Sequence, residues 1–204
     1  MNKPTKAKPR KAETEAKQKA VAKAKAVAPA VPARIGSTPA TKFRGNPAIF
    51  GRLVEDHDKH RALIAMIEAT GPGDPARKTL FEAFVKDVHG HAAAEEQALW
   101  STVMRIPETT AFARHAVGDH HKLDKLMADV AARDLTGAGW LKHFGTLRDE
   151  YLEHILEEET EQFVEAEKVL TDKDQRYLHK VFNRRKKAEK AAAKIARKIM
   201  RKPA

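Results

Sequence analysis

The amino-acid sequence contains one residue pattern twice, with an offset of 63 positions between the copies. In each copy two histidines lie 34 positions apart, and a glutamate follows the second histidine four positions later. The six residues are His57, His91 and Glu95 in the first copy and His120, His154 and Glu158 in the second. Apolar residues recur in the same register, among them Phe81 with Phe144, Phe84 with Leu147, and Trp100 with Phe163. Such a repeat predicts two similar helical hairpins around one shared site.

Apolar residues at helical spacing divide the central part of the chain into four predicted helices. Asn46-Pro47 and Asp74-Pro75 each combine an N-cap residue with a following proline, which favours a helix start. Glycine or proline ends each helix except the last, and the connections are short. The predicted helices span residues 46–70, 74–106, 108–135 and 140–170. The predicted fold class is all-α, an up-down antiparallel four-helix bundle over residues 46–170.

Both ends of the chain are strongly basic, whereas its centre is acidic. Residues 1–45 carry a net charge of +10, residues 46–170 of −9 and residues 171–204 of +10. Residues 1–45 contain few large apolar side chains, so we expect a disordered, Lys/Ala/Pro-rich basic tail, whose Ala/Lys-rich stretch Ala12–Val27 could become helical on a partner. Residues 171–204 have a narrow apolar stripe, and Thr171 and Asp174 have the spacing of a capping box, which predicts a basic C-terminal helix. The stripe is compatible with docking on the acidic bundle or with projection from it.

The chain has no cysteine, which excludes disulfides, thiolate metal sites and cysteine nucleophiles. Any metal must therefore be bound through nitrogen and oxygen atoms. The sequence shows no signal-peptide-like apolar segment and no run approaching about 18 apolar residues. We therefore expect a cytoplasmic protein without a membrane span.

The repeated residues have the chemistry of metal ligands. His91 and Glu95 are four positions apart and lie on one face of a helix, as do the corresponding residues of the second copy. His57 and His120 add one nitrogen each from the neighbouring helices. Four imidazoles and two carboxylates suit a first-row metal such as iron or manganese, and a carboxylate can bridge two ions. Two metal ions are the simplest prediction, and no residue is assigned a catalytic role.

Four short motifs of histidine and acidic residues occur in order along the chain. They are Glu55-Asp56-His57, His91-Ala-Ala-Ala-Glu95-Glu96, Asp119-His120-His121 and His154-Ile-Leu-Glu-Glu158-Glu159. In these motifs the chain resembles the hemerythrin-like family, also called the HHE cation-binding domain, over roughly residues 48–170. The resemblance implies a four-helix bundle with a non-heme, oxo- or hydroxo-bridged centre of two iron ions, with manganese as an alternative metal. It also implies four terminal histidine ligands and two glutamate bridges, namely His57, His91, His120 and His154 with Glu95 and Glu158.

The chain departs from the oxygen-carrying members of that family at two places. They are similar in pattern but have a further histidine one turn before the ligand of the third helix, where this chain has Ala116. Their last motif ends with aspartate at a longer spacing, where this chain has Glu158. The loss of one nitrogen ligand predicts a more open coordination sphere. Sensing, scavenging or redox roles are therefore favoured over reversible oxygen transport.

Three further side chains are candidates for positions around the metal ligands. His60 and His121 lie near ligand positions and could supply a replacement nitrogen or a proton. Tyr151 lies one turn before His154 and could form a hydrogen bond near the centre. For all three the alternative is an ordinary packing or surface role. The glutamates that directly follow the two bridging positions point about 100° away from them, which favours outer or surface roles.

Three classes of function are compatible with these features. The first, which we favour, is a di-iron protein that binds or senses dioxygen, nitric oxide or peroxide, or handles iron. The second is a di-iron oxidase or peroxidase, which would consume its substrate in repeated turnovers. The third is a polyanion-associated protein in which the metal is structural and the basic ends attract nucleic acid or another anionic surface. No nucleic-acid-binding motif accompanies the lysines, so any such binding would be nonspecific.

Overall fold

A computed structural model of the chain describes residues 11–35 and 41–199. All regular secondary structure in these ranges is helical, which confirms the all-α fold class. The helices are α1 (Lys11–Val27), α2 (Ile49–Glu68), α3 (Pro75–Glu95), α4 (Ser101–Val103), α5 (Pro107–Ala132), α6 (Trp140–Glu157), α7 (Phe163–Val169) and α8 (Asp172–Ile199). π-helical turns at Glu96–Trp100 and Glu158–Gln162 join α3 to α4 and α6 to α7, and two 3-10 turns follow α1. None of the helices in the described part of the chain is both long and apolar enough to cross a membrane.

Side-chain caps fix the starts of α3 and α8. The Asp74 carboxylate accepts a hydrogen bond from the Ala76 N–H at 2.8 Å, and Pro75 occupies the first helical position. Thr171 and Asp174 each accept a hydrogen bond from the other's backbone N–H, at 3.1 and 3.2 Å. This reciprocal pair is a capping box, and it separates α8 from the preceding helix.

The segment before α2 differs from the sequence prediction. The Asn46 side chain accepts a hydrogen bond from the Ala48 N–H at 2.7 Å, and Ala48 itself is extended. The predicted helix start at Asn46 is therefore wrong, because Asn46 stabilises a turn and α2 begins three residues later at Ile49. This turn brings the Asn46 backbone against Gly51, where an added Cβ would lie 1.9 Å from the Asn46 carbonyl oxygen.

Two apolar clusters fill the interior, and a layer of histidines separates them. The first cluster contains the aromatic residues Phe81, Phe84, Trp140, Phe144 and Tyr151. The second contains Phe43, Phe50, Trp100, Phe163 and Phe182. On α2, α3, α5 and α6 the histidine of the repeat lies at the boundary between the two clusters. The bundle core therefore has a polar layer near its middle.

The N-terminal region is helical where we expected disorder. The expectation of a disordered tail over residues 1–45 is wrong for residues 11–35, because α1 packs against α2 and α3. Ala24, Ala28 and Val31 are buried in this contact. Small side chains let the helix lie close to the bundle, and tertiary packing supplies stability that helix propensity alone does not. Residues 1–10 and 36–40 of the predicted tail lie outside the described residues.

The C-terminal helix α8 docks on α2 and α3. Its apolar stripe is buried at Leu178, Val181 and Phe182. Lys186 is buried with them and forms ion pairs with two carboxylates of the bundle, Asp56 and Asp87. The helix is therefore held by both apolar contacts and a buried charge.

We expect Gly51→Ala to lower the free energy of unfolding by roughly 1 to 3 kcal/mol, because the new Cβ would overlap the Asn46 carbonyl. Gly118→Ala is the matched control, since Gly118 is also helical but no atom lies within 4 Å of an added Cβ. The control should be neutral or stabilising by up to about 1 kcal/mol. Urea denaturation of both variants in the same metal-free buffer measures the difference. Equal stability of Gly51→Ala and wild type would contradict the close approach.

Candidate metal centre

The six residues of the repeat lie together in the layer between the two apolar clusters. All six are buried, and none is more than 5% exposed. The helices α2, α3, α5 and α6 contribute one histidine each, while Glu95 ends α3 and Glu158 begins the second π-turn. The structure therefore brings together every residue that the repeat singled out.

His57 and His91 form the first nitrogen cluster. Their Nε2 atoms are 3.2 Å apart. Nε2 of His57 lies 3.4 Å from Oε2 of Glu158, and Nε2 of His91 lies 3.5 Å from Oε2 of Glu95. A metal ion at this point would have two imidazole nitrogens and an oxygen of each glutamate nearby.

His120 and His154 form the second nitrogen cluster, with ring centroids 5.1 Å apart. Nε2 of His120 lies 3.4 Å from Oε2 of Glu95, and Nε2 of His154 lies 3.4 Å from Oε1 of Glu158. The two oxygens of Glu158 thus face different clusters, and Oε2 of Glu95 lies between one histidine of each. Both glutamates are placed to bridge two cations.

The atoms that face the centre lack protein partners. Both carboxylate oxygens of Glu95 and of Glu158, and Nε2 of His120, are buried without a hydrogen bond from the described residues. Leaving a buried donor or acceptor unpaired costs about 1–3 kcal/mol, and more for a charged group. Cations bound between the two clusters would satisfy these atoms. The donor set, nitrogen from imidazole and oxygen from carboxylate, fits iron or manganese.

A carboxylate lies near the outer nitrogen of each ligand histidine. The distances from Nδ1 are 2.9 Å for His57 to Glu159, 3.2 Å for His91 to Asp56, 2.9 Å for His120 to Glu96, and 3.6 Å for His154 to Asp119. The first three are hydrogen bonds in which Nδ1–H donates. Such a bond fixes the tautomer and leaves the Nε2 lone pair free for a metal.

These four outer carboxylates obey the same repeat as the ligands. Asp56 corresponds to Asp119, and Glu96 corresponds to Glu159, each 63 positions later. Asp56 and Asp119 each lie beside a histidine of their own hairpin. Glu96 and Glu159 each contact a histidine of the other hairpin. We did not predict a role for the aspartates, although each precedes the first histidine of its copy and the repeat register could have revealed both.

Each π-turn begins where a ligand glutamate and an outer glutamate are adjacent. Glu95 and Glu96 meet at the first turn, and Glu158 and Glu159 at the second. In this arrangement neighbouring residues both reach histidines of the site. π-turns are rare and are frequently found at functional sites. No sequence pattern predicted them.

The half of the centre around His57 and His91 is closed by protein cations. Asp56 is buried, receives a 2.8 Å contact from Arg52 and pairs with Lys186 of α8. Glu159 is also buried and lies 2.8 Å from the Arg61 guanidinium. We name this the closed half.

The half around His120 and His154 reaches solvent, and we name it the open half. Its outer carboxylates are partly exposed, with 42% of the Glu96 side chain and 24% of the Asp119 side chain accessible. Beside it lies a cavity of about 10 Å³, roughly enough for one water molecule. Site residues in the cavity wall are His91, His120, His154 and Tyr151.

His60, His121 and Tyr151, the three side chains considered for positions around the ligands, lie in different environments. Nδ1 of His60 accepts a hydrogen bond from the Tyr151 hydroxyl at 2.5 Å, and Nε2 donates to Asp87 at 3.0 Å. His60 is therefore engaged away from the centre, while Tyr151 lies beside it. Of the two alternatives for His121, its position fits the surface role, because its side chain is exposed and lies about 100° around α5 from His120.

Burial and close carboxylates disturb the protonation of the site. Burial lowers the pKa of His57 to about 4, which favours its neutral, metal-binding form. Burial also opposes the charge of Glu95, but the His120 and His91 imidazoles, 3.4 and 3.5 Å from its Oε2, hold its pKa below the ordinary value. Burial and the neighbouring Glu95 raise the pKa of Glu158 well above its ordinary range. Bound cations would resolve this conflict, because they stabilise both carboxylates in the charged form.

Comparison with known proteins agrees with the geometry. The family model described as the Hemerythrin HHE cation binding domain matches residues 48–166, which include both copies of the repeat. No curated protein and no solved structure gives a significant match. Since the match covers more than half of the chain, this protein belongs to the hemerythrin HHE cation-binding domain family.

Proposed function

We propose that this protein holds two non-heme iron ions and uses them to bind or sense dioxygen, nitric oxide or peroxide, or to handle iron. The supporting observation is the set of buried glutamate oxygens that have no hydrogen-bond partner and face four imidazole nitrogens. Because the chain belongs to a family of cation-binding domains, we expect a metal ion to be the partner of these atoms. The four long helices α2, α3, α5 and α6 are proposed to form an up-down antiparallel bundle around them.

The two nitrogen clusters suggest how the ions would be held. One ion would lie with His57 and His91, the other with His120 and His154, and Glu95 and Glu158 would bridge them. Bound iron would supply a redox-active centre with affinity for small oxygen- and nitrogen-containing ligands. Manganese fits the same donor atoms and is the alternative metal.

An external ligand is proposed to bind on the open half. Ala116, one turn before His120, supplies no nitrogen, so this half has two imidazole ligands. The small cavity beside Tyr151 adjoins this half, and the partly exposed outer carboxylates give a ligand access from solvent. The closed half is shielded by α8, whose Phe182 ring packs edge-on against His91 at a centroid distance of 5.6 Å.

One feature favours the enzymatic alternative. A chain of polar contacts runs from the cavity through Tyr151, His60 and Asp87 to Lys190, whose side chain is 46% exposed. The last contact, between Asp87 and the Lys190 Nζ, is 3.6 Å long, which leaves room for rearrangement. A di-iron oxidase or peroxidase must take up protons, and this chain could carry them from the surface.

A second proposed property is nonspecific attraction to nucleic acid. α8 presents exposed basic side chains along one face, at Lys173, Arg176, Lys180, Arg184 and Lys187. Their spacing of three or four positions aligns them along the helix. Aligned cations attract a phosphate backbone and release its counterions, which gives salt-dependent binding without sequence preference.

We expect the purified protein, loaded anaerobically with ferrous iron, to retain about two iron ions per chain. Glu95→Gln/Glu158→Gln should retain far less than one, because it removes both bridging charges with little change in volume. Without metal, Glu158→Gln alone should be more stable than wild type at pH 7 by roughly 1 kcal/mol or more, because folding raises the pKa of Glu158 and a glutamine does not carry that cost. Glu108→Gln/Glu161→Gln, which changes two exposed glutamates, is the control and should resemble wild type. Elemental analysis and urea denaturation provide the two readouts, and full iron retention in the first variant would contradict the assignment.

The ferrous protein should respond to nitric oxide, dioxygen or peroxide with a change in absorbance that saturates at about one ligand per pair of irons, since only the open half is accessible. Titration under anaerobic conditions, followed by repeated additions with a reductant present, separates binding from catalysis. A response that stops after one equivalent supports binding or sensing, whereas many peroxide molecules consumed per centre would support the enzyme. A loaded protein that responds to none of the three would refute both.

Lys180→Glu/Arg184→Glu should weaken binding to a DNA duplex several-fold at low salt and reduce the salt slope by about 2, because two phosphate contacts are lost. Lys125→Glu/Lys142→Glu is the control, with the same charge change on exposed lysines of α5 and α6. Fluorescence anisotropy over a salt series measures both. No DNA binding by wild type, or an equal loss in the control, would contradict a role for the α8 face.

A further inference from the structure

An acidic opening leads from the surface of the open half to His154. Its volume is about 180 Å³, enough for a hydrated ion. The charged residues that line it are Asp119, Glu150, Glu153 and Glu157, with Lys122 as the single cation. Lys122 is already paired with Glu150. The opening is therefore negative in a chain whose net charge is +11.

Three side chains at this opening direct ligand atoms toward one point. Nε2 of His115 lies 3.1 Å from Oε2 of Glu157 and 3.4 Å from Oδ2 of Asp119. One ligand atom of each residue lies within 4.8 Å of the others. One imidazole and two carboxylates, supplied by the facing helices α5 and α6, form a donor set for a divalent first-row cation.

His154 provides independent evidence that a partner is missing at the opening. Its ring lies between the opening and the metal centre, with Nε2 3.4 Å from Glu158 and Nδ1 toward Asp119. The side chain is only 4% exposed, yet Nδ1 has no hydrogen-bond partner, because Oδ2 of Asp119 is 3.6 Å away. The other three ligand histidines have their carboxylates at 3.2 Å or less. Asp119 is thus shared between His154 and the opening.

The repeat shows what occupies the equivalent place in the closed half. The residues 63 positions before His115, Asp119 and Glu157 are Arg52, Asp56 and Ala94. There the Arg52 guanidinium contacts Asp56 at 2.8 Å, and Lys186 adds a second positive charge. In the open half no lysine or arginine among the described residues forms an ion pair with Asp119. His115 lies at the position of Arg52, and Glu157 adds a carboxylate at the position of Ala94. The open half therefore lacks the protein cation of the closed half and has groups that could bind a metal cation.

We propose that His115, Asp119 and Glu157 form a second cation site, which takes a hydrated divalent metal ion from solvent and passes it to the interior centre. The site itself is argued from the contacts at the opening. Its role as an entry point rests on the proposed function, because only a metal-binding interior needs a supply. A cation held here would neutralise Asp119 in the way that Arg52 neutralises Asp56.

Manganese titration tests the site directly. With the interior already loaded with iron, wild type should bind about one further Mn²⁺ per chain, detected by loss of the free-ion paramagnetic resonance signal. His115→Ala/Glu157→Gln should bind it at least tenfold more weakly, and both residues are exposed enough to be changed without disturbing the core. The control is His89→Ala/Asp124→Asn, which removes an equally exposed pair with a 3.2 Å separation but no third ligand. It should bind Mn²⁺ as wild type does.

No further Mn²⁺ in wild type, or an equal loss in the control, would overturn the cation site. The entry role has its own readout, because ferrous iron should load into metal-free His115→Ala/Glu157→Gln several-fold more slowly, with the same final content. An unchanged loading rate together with lost Mn²⁺ binding would overturn the entry role and leave the site. If the interior of wild type binds no iron, the proposed function fails. The Mn²⁺ titration of metal-free wild type, Glu95→Gln/Glu158→Gln and the opening variant then decides the cation site by itself.

Discussion

Glu95 and Glu158 place two carboxylates in the layer where the apolar clusters meet, and no protein group satisfies their oxygens. Water cannot reach them, so each charge costs several kcal/mol unless a cation is close. His57 cannot supply that cation, because burial favours its neutral form. The two hairpins, the π-turns and the ring of outer carboxylates all serve to hold four imidazole nitrogens and two carboxylates around the same small volume. The fold is therefore arranged around an electrostatic demand that a bound metal meets.

The helices outside the matched family domain change that environment unequally. α1 covers α2 and α3 with small buried side chains. α8 does more, because Phe182 packs against the His91 ring and Lys186 pairs with Asp56, the carboxylate that orients His91. The family domain supplies both halves of the centre, whereas α8, which lies beyond it, covers the closed half. An asymmetric centre results from a symmetric repeat.

The sequence predicted the parts of this structure that leave a periodic trace. The 63-residue repeat indicated the six residues that lie together in the centre, and helical spacing indicated α2, α3, α5, α6 and α8. It indicated that Ala12–Val27 could become helical on a partner but not that α1 packs on the bundle itself, because alanines such as Ala24 bury little surface each and give no apolar stripe. The π-turns were missed because one wider turn does not alter the surrounding 3.6-residue period. The sequence left both a site role and a surface role open for His121, and its exposed side chain fits the second, since the next residue on a helix points about 100° away.

The differences between the two halves support the proposal that exchange with solvent is confined to one of them. At equivalent positions the closed half has Arg52 and Ala94, and the open half has His115 and Glu157. A guanidinium is permanently charged and cannot leave, so Asp56 stays neutralised and the His91 side of the centre stays shut. Imidazole and carboxylate groups bind a cation reversibly, so a cation at the proposed second site would balance the charge on Asp119 and could still exchange with solvent. An interior centre with one fixed and one exchangeable neighbourhood suits a protein that must gain or release a metal ion or a small ligand without opening its core.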